Sequence, residues 1–338
     1  MSSWRSWHLP LVVFALAMIV LAVASGVGLL VDDRQLVGSP IWSKPAKFSL
    51  SFVAYGLSLA WMLSLLPTNR ARRVGWWAGA VVAVTGVVEM VIITAQVVRG
   101  KRSHFNHETP FDEALFSAMA VTAVILWFAT LVIAVLLLRT SFGDRASAWA
   151  MRSGTVLALA GAAIGFLMTQ PAPGQRRGVS KVVGAHSVGV PDGGPAMPLT
   201  GWSTTGGDLR VPHFFGMHAL QLIPLVLMGL VVALASRVPR LRAERVRLRL
   251  VLVVSAAYAA VFALLTWQAL RGQSLVRPDG ATLTVAGLIL VGAVTGALLT
   301  LRKAGSERTA TSPPWEEGDR LEPSPQGGGR PFVSLRRR

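Results

Sequence analysis

Five of the six histidines, His104, His107, His186, His213 and His218, fall in two stretches that follow or precede long apolar runs. Neutral imidazole is a good ligand for haem iron, copper or zinc. The first stretch, Arg99-Gly100-Lys101-Arg102-Ser103-His104-Phe105-Asn106-His107-Glu108, carries ligand-type side chains in no established spacing such as H-E-x-x-H. The second runs from Gly184 to Gln221 and ends on Asp208, Arg210, His213, His218 and Gln221. His218 and Gln221 are i,i+3 and share a helix face. His213 and His218 are i,i+5, about 140° apart on a helix of 3.6 residues per turn, so they meet one ligand only where Pro212 or Gly216 distorts the first turn. The expectation is a metal or haem centre held by His104, His107, His213 and His218, with Asp208 added for a metal ion. A haem would take His218 with His104 or His107 on its two faces. The bland alternative has these histidines hydrogen-bonding a loop to helix ends.

Glu89 is the only acid inside any apolar run, and an intramembrane carboxylate is costly enough to be a functional candidate. Glu89, Gln96 and Arg99 are spaced i, i+7, i+10 along one helix face. With Gln221, Gln268 and Arg271 they form a candidate polar path for a transporter or a lipid-handling protein. A neutral or paired glutamate that locks helices together is the structural alternative. Bases near helix ends (Lys44, Lys47, Arg99, Arg102, Arg210 and Arg271) add a third possibility, an anionic lipid headgroup or small anionic ligand as partner. Snorkelling accounts for each base singly. A further alternative is a scaffold whose loop 171–211 docks a partner. No P-loop, G-x-S-x-G or dinucleotide fingerprint is present, so no known catalytic motif supports an enzyme. With no cysteine, thiolate chemistry and iron–sulfur ligation are excluded.

The elements that must position these residues are membrane helices. The chain is 52% hydrophobic and only 14% charged, against about 25% charged in soluble domains. Its charges cluster, leaving long stretches with none. Eight runs reach the ~20 residues that cross a bilayer, at 9–31, 46–66, 74–98, 114–138, 149–169, 211–236, 248–270 and 281–301. Lipid offers backbone groups no outside partner, so each run must be helical. Ala22-Val23-Ala24 imitates a signal-peptide cleavage site, but the apolar run continues to Val31 and reads as an anchor.

Arginine density fixes the expected orientation. The loops 67–73, 139–152 and 237–249 hold Arg70, Arg72, Arg73, Arg139, Arg145, Arg152 and six arginines from Arg237 to Arg249. The alternate loops are longer, and more of their bases are offset by acids. Both termini are therefore expected in the cytoplasm of an all-α, eight-span cell-membrane protein. The net charge of +17 follows this loop distribution, so it argues for lipid bilayer as surroundings and against nucleic acid as partner. The membrane part is expected over 1–302, and a basic disordered tail over 303–338.

Two fragments repeat. Thr94-Ala95-Gln96-Val97-Val98-Arg99-Gly100 closes the third run, and Thr266-Trp267-Gln268-Ala269-Leu270-Arg271-Gly272 closes the seventh. Lys44-Pro45-Ala46-Lys47-Phe48 opens the second, as Arg210-Val211-Pro212-His213-Phe214 opens the sixth. Arg-Gly is a good helix end in its own right, but that explains neither the threonine nor the glutamine. Two tandem four-helix halves, 1–140 and 149–302, are the expectation, with an extracytoplasmic loop 171–211 between the fifth and sixth spans. The stretches Gln-Val-Val-Arg-Gly-Lys-Arg-Ser-His-Phe-Asn at 96–106, Pro-Asp-Gly-Gly-Pro at 191–195 and Gly-Asp-Leu-Arg-Val-Pro-His-Phe-Phe-Gly-Met-His-Ala-Leu-Gln at 207–221 resemble those of uncharacterised multi-pass bacterial membrane proteins. The resemblance implies the topology and no activity.

Overall fold

The structure, a computed structural model, describes residues 6–230 and 237–309. Eight α-helices follow in order: α1 Leu9–Val31, α2 Ser43–Ser64, α3 Asn69–Val98, α4 Pro110–Arg139, α5 Arg145–Met168, α6 Arg210–Gly229, α7 Glu244–Leu270 and α8 Gly280–Thr309. All eight are long and apolar enough to cross a membrane, and the chain is an integral, multi-pass membrane protein. Each expected span falls on one helix. Several helices begin earlier than the apolar run because polar groups cap them. Thr68, Thr109 and Asp144 accept backbone N–H groups from Ala71, Asp112 and Ser147 at 3.0–3.2 Å. The last part of the sixth span, 231–236, lies outside the described residues. So does 310–338, most of the expected tail, while α8 continues through the first seven residues assigned to it.

Side chains on the outward faces confirm the solvent. Leu30, Leu288 and Leu290 are 84%, 67% and 65% exposed, a surface that lipid solvates and water does not. Inside, Leu11, Phe14, Leu59, Met62, Ile93 and Ile133 belong to a core drawn mainly from α1–α4, which Met151 and Ala158 of α5 and Leu220 of α6 extend. Ala146, Ala150, Ala219, Ile223 and Val251 make a smaller one between α5, α6 and α7. Gly161 and Gly216 let α5 and α6 cross backbone to backbone, since a Cβ on either would lie 2.5–2.6 Å from the other helix.

The helix pairings repeat. In the first half α1 packs on α2, α2 on α3, α3 on α4 and α1 on α3; in the second α5 packs on α6, α6 on α7, α7 on α8 and α5 on α7. The halves join through α2 with α6 and α4 with α5.

The repeated T-x-Q-x-x-R-G fragments fold alike. Gly100 and Gly272 take φ of 70° and 73°, a left-handed conformation suited to glycine. Gly100 N–H donates to Val97 O and Lys101 N–H to Gln96 O, at 3.0 and 2.8 Å; Gly272 and Gln273 donate to Ala269 O and Gln268 O at 3.0 and 3.1 Å. Both are Schellman caps. The glutamine then reaches the loop carbonyl six residues on, Gln96 to Arg102 O at 3.2 Å and Gln268 to Ser274 O at 2.9 Å. The arginine reaches the acid that starts the next helix, Arg99 to Asp112 at 2.7 Å and Arg271 to Asp279 at 2.8 Å.

At one end of the bundle the connections form a cap. A hairpin pairs Gln35–Leu36 (β1) with Ser39–Pro40 (β2), and the α5–α6 connection pairs Ser187–Val188 (β3) with Gly207–Asp208 (β4). That connection also bridges to the α3–α4 loop, where His107 N–H donates to Lys181 O at 2.8 Å.

Candidate functional site

Beneath the cap lies a cavity of about 470 Å³, within the ~300–1,000 Å³ range of small-molecule sites. Its walls come mainly from α2, α4, α5 and α6, where the two halves meet. From α2 it takes Lys44, Lys47, Phe48, Ser51, Phe52 and Tyr55; from α6 it takes Arg210, His213, Phe214, Met217, His218 and Gln221. Each α6 position is the α2 position displaced by the offset that aligns the two opening fragments. The cavity therefore sits where equivalent faces of the two halves oppose each other, and Phe48 meets Phe214 edge to face at 6.4 Å. From Lys44 to Tyr55 it runs about 16 Å down α2, at about 1.5 Å per residue.

Its upper end is polar and basic. Lys44 Nζ lies 3.0 Å from His104 Nδ1. Lys47 Nζ donates to Thr200 O at 2.8 Å, tying α2 to the cap. Arg210 donates to both oxygens of Asp208 and to Gly201 O, at 2.6–2.9 Å. Asp192 accepts the backbone N–H groups of His186 and Ser187 and faces His186 Nδ1 at 3.0 Å. Burial raises the Asp192 carboxyl, but the His186 ring and those amides outweigh it and hold it below the usual carboxylate range. Burial drives His186 below its ordinary value, with Asp192 opposing. His104 is driven well below by burial first, then by Lys44, His186 and His213. Both rings are thus kept neutral.

Lower down the walls turn apolar, with Phe52, Met119, Trp127, Phe166 and Met217. The floor closes where Tyr55 and Thr130 share a hydrogen bond and Trp127 Nε1 donates to Leu159 O at 3.1 Å. Three polar groups interrupt this shaft. Glu89 accepts from Thr122 Oγ1 at 2.7 Å, His218 lines the wall, and Gln221 Oε1 is buried with no hydrogen-bond partner among the described residues.

The expected site residues are thereby sorted. His104, His213, His218, Glu89 and Gln221 share the cavity. His107 does not line it; its ring faces Glu113 at 3.3 Å. Asp208 is spent on Arg210 and on the Ser203 and Arg210 amides. The five proposed metal ligands therefore do not converge, and among the described residues no group of three or more His, Asp or Glu is arranged to hold a metal ion. Gln96 and Arg99 belong to the cap of the first half and Gln268 and Arg271 to that of the second, so the proposed polar path is not one continuous lining. Gln268 borders a separate, mostly apolar groove between α7 and α8.

Sequence reading named His186 but left it out of the site, passed over Tyr55 and Trp127, and grouped Lys44, Lys47 and Arg210 with other bases as a possible site for an anionic headgroup or ligand. The signal that identifies most of them was present: continuing the alignment of Lys44–Phe48 with Arg210–Phe214 by two further turns selects the α2 and α6 walls. No family model, curated protein or solved structure matches the chain, so the site is read from its own residues.

Proposed function

We propose that the protein is a lipid-handling membrane protein that binds an amphiphile in this cavity, anionic end towards the cap and apolar part along the shaft. One observation carries the reading. Lys44, Lys47 and Arg102 border the upper cavity, and none has a carboxylate within ion-pair distance among the described residues. Ammonium and guanidinium groups removed from water are costly without a counter-charge. A ligand anion supplies that charge, and the phenyl, indole and thioether groups below supply a matching apolar environment. The arginine-dense loops lie at the opposite end of the bundle, which supports an extracytoplasmic cap and a ligand drawn from the outer face.

The test is native mass spectrometry of the protein released from mild detergent, with extraction of whatever co-purifies. The wild type is expected to retain an anionic amphiphile that Lys44→Gln with Lys47→Gln releases. Failure to retain or bind any anionic amphiphile defeats the reading.

A second reading, a haem or transition metal, has one observation in its favour. His186 and His213 each engage Nδ1, with Asp192 and with Gly161 O at 3.0 and 2.8 Å, and among the described residues neither Nε2 has a hydrogen bond. Metal-binding imidazoles are oriented in this way by outer partners. A Soret band or stoichiometric metal in purified protein, lost in His213→Ala, is the expected result on this reading.

A further inference from the structure

Resting on the amphiphile reading, we infer that the ligand is a long-chain lipid of the bilayer whose tail leaves the cavity sideways, through a gap between α4 and α5. Among the described helix residues that line the cavity, only Ala123 and Val124 of α4 are exposed. Val124 belongs to the cavity wall and is still 39% exposed. Its helix neighbours at three and four residues divide in the same way. Ala120 and Trp127 line the cavity, whereas Val121 and Phe128 do not line it and are exposed. A side chain shared by the wall and the outer surface marks where the two join. The spans place that junction within the bilayer, so it opens on lipid.

The gap has two closed edges. Towards the cap, Phe116 of α4 and Ile164 of α5 both pack against the buried cluster of Phe105 and Met168. At the floor, Trp127 holds α4 to the Leu159 carbonyl of α5 at 3.1 Å. Helical side chains lean towards the N-terminus of their helix, so Trp127 leans towards the cap and Phe166 of α5 leans away from it. Their rings meet across the gap with centroids 6.1 Å apart. Between the two edges the facing lining residues are small: Ala120 and Ala123 on α4, and Ala162 on α5.

Length points the same way. From Phe48, at the top of the apolar shaft, to Tyr55, at its floor, is seven residues of α2, or about 10 Å. Below the floor the bundle is packed shut by Leu59 and Ile133, both 0% exposed. One leaflet of a bilayer core about 30 Å thick is about 15 Å deep, and the tails of its lipids span that depth. A leaflet-length tail is therefore longer than the shaft that would hold it. The gap lies above the floor, where such a tail has to turn aside.

The experiment compares two carboxylates that differ in their tails, decanoate and oleate, titrated into the full chain in mild detergent and counted by native mass spectrometry. The wild type is expected to bind oleate more tightly. Val124→Trp narrows the gap from its rim and is expected to shrink the oleate-over-decanoate ratio at least fivefold. Val121→Trp, one turn away on the lipid-facing side, is expected to leave that ratio unchanged. Ala162→Leu narrows the opposite rim with a smaller side chain and is expected to act in the same direction as Val124→Trp; it carries the test where the tryptophan variant does not fold. An unchanged ratio in the rim variants, or the same change in Val121→Trp, overturns the lateral gap and leaves the amphiphile reading standing. So does a wild type that binds decanoate at least as tightly as oleate, because its shaft then holds the whole tail. Binding of neither carboxylate overturns both.

Discussion

Phe48 and Phe214 occupy the same position in the aligned fragments Lys44–Phe48 and Arg210–Phe214, and their rings meet edge to face with centroids 6.4 Å apart. The contact joins α2 to α6 at the top of the apolar shaft, so one aromatic pair both couples the halves and narrows the cavity. Edge-to-face pairs are worth about 0.5–1.5 kcal/mol beyond area burial. Phe48→Ala and Phe214→Ala should each lower stability, and the double variant should lose less than the sum of the two by about that coupling. Unfolding in mixed micelles measures the cycle. Strict additivity would mean that the rings do not hold the halves together.

The two similar helix ends make a sharper comparison, because the arginine of each meets an acid of different burial. The Asp112 side chain is 0% exposed, while that of Asp279 is 44% exposed. Removing Arg99 leaves a buried carboxylate short of its counter-charge, at a cost of about 3 kcal/mol. Removing Arg271 breaks an exposed pair worth less than about 1 kcal/mol. Arg99→Ala should therefore be much the more destabilising of two substitutions that look equivalent in sequence. Equal losses would contradict the burial difference between the halves.

How much of this was legible in the sequence follows from what each feature depends on. The spans depend on bilayer thickness and backbone satisfaction, which act within single segments, and they were readable. The T-x-Q-x-x-R-G repeat was visible too, although its glutamine was taken for a path residue; only the folded loop brings Arg102 O and Ser274 O within its reach. The cavity depends on α2 facing α6 across half the chain, a contact that no local pattern encodes. His107 stands next to His104 in sequence but turns to Glu113, while His186, far along the chain, is carried to the cavity by the turn around Asp192. Neighbourhood in sequence selected the wrong histidine.

Glu89 marks where the halves differ. It precedes Gln96 by seven residues; the residue that precedes Gln268 by seven is Val261. The buried carboxyl thus stands where the other half has an apolar side chain, and Thr122 has the carbonyls of Ala118 and Met119 as alternative acceptors. Glu89→Val should raise stability by about 1–2 kcal/mol, since a carboxyl is replaced by a group that needs no partner. It should also strengthen binding of an anionic amphiphile by removing one of the two acids, with Asp192, that share the field of Lys44. A lower melting temperature would show that Glu89 is a structural clasp.

Acid should loosen the cap, and the sign can be worked out from the histidines. His104 and His186 are held below the ordinary value of about 6.5, chiefly by burial. As pH falls through 6.5, the unfolded chain binds protons at these rings and the folded chain does not, so stability falls by up to about 1.4 kcal/mol per pH unit for each ring. Asp192 acts in the opposite range: its carboxyl is depressed, so its contribution is present above about 3.9 and is lost only in stronger acid. Between pH 7 and 5 the histidines therefore govern the slope. The melting temperature should drop over that window, and His104→Gln, which cannot titrate beside Lys44 and Phe48, should flatten the drop. A wild-type melting temperature that stays level from pH 7 to 5 would mean that these rings accept protons in place, and with them more positive charge at the end of the cavity that already lacks a counter-ion.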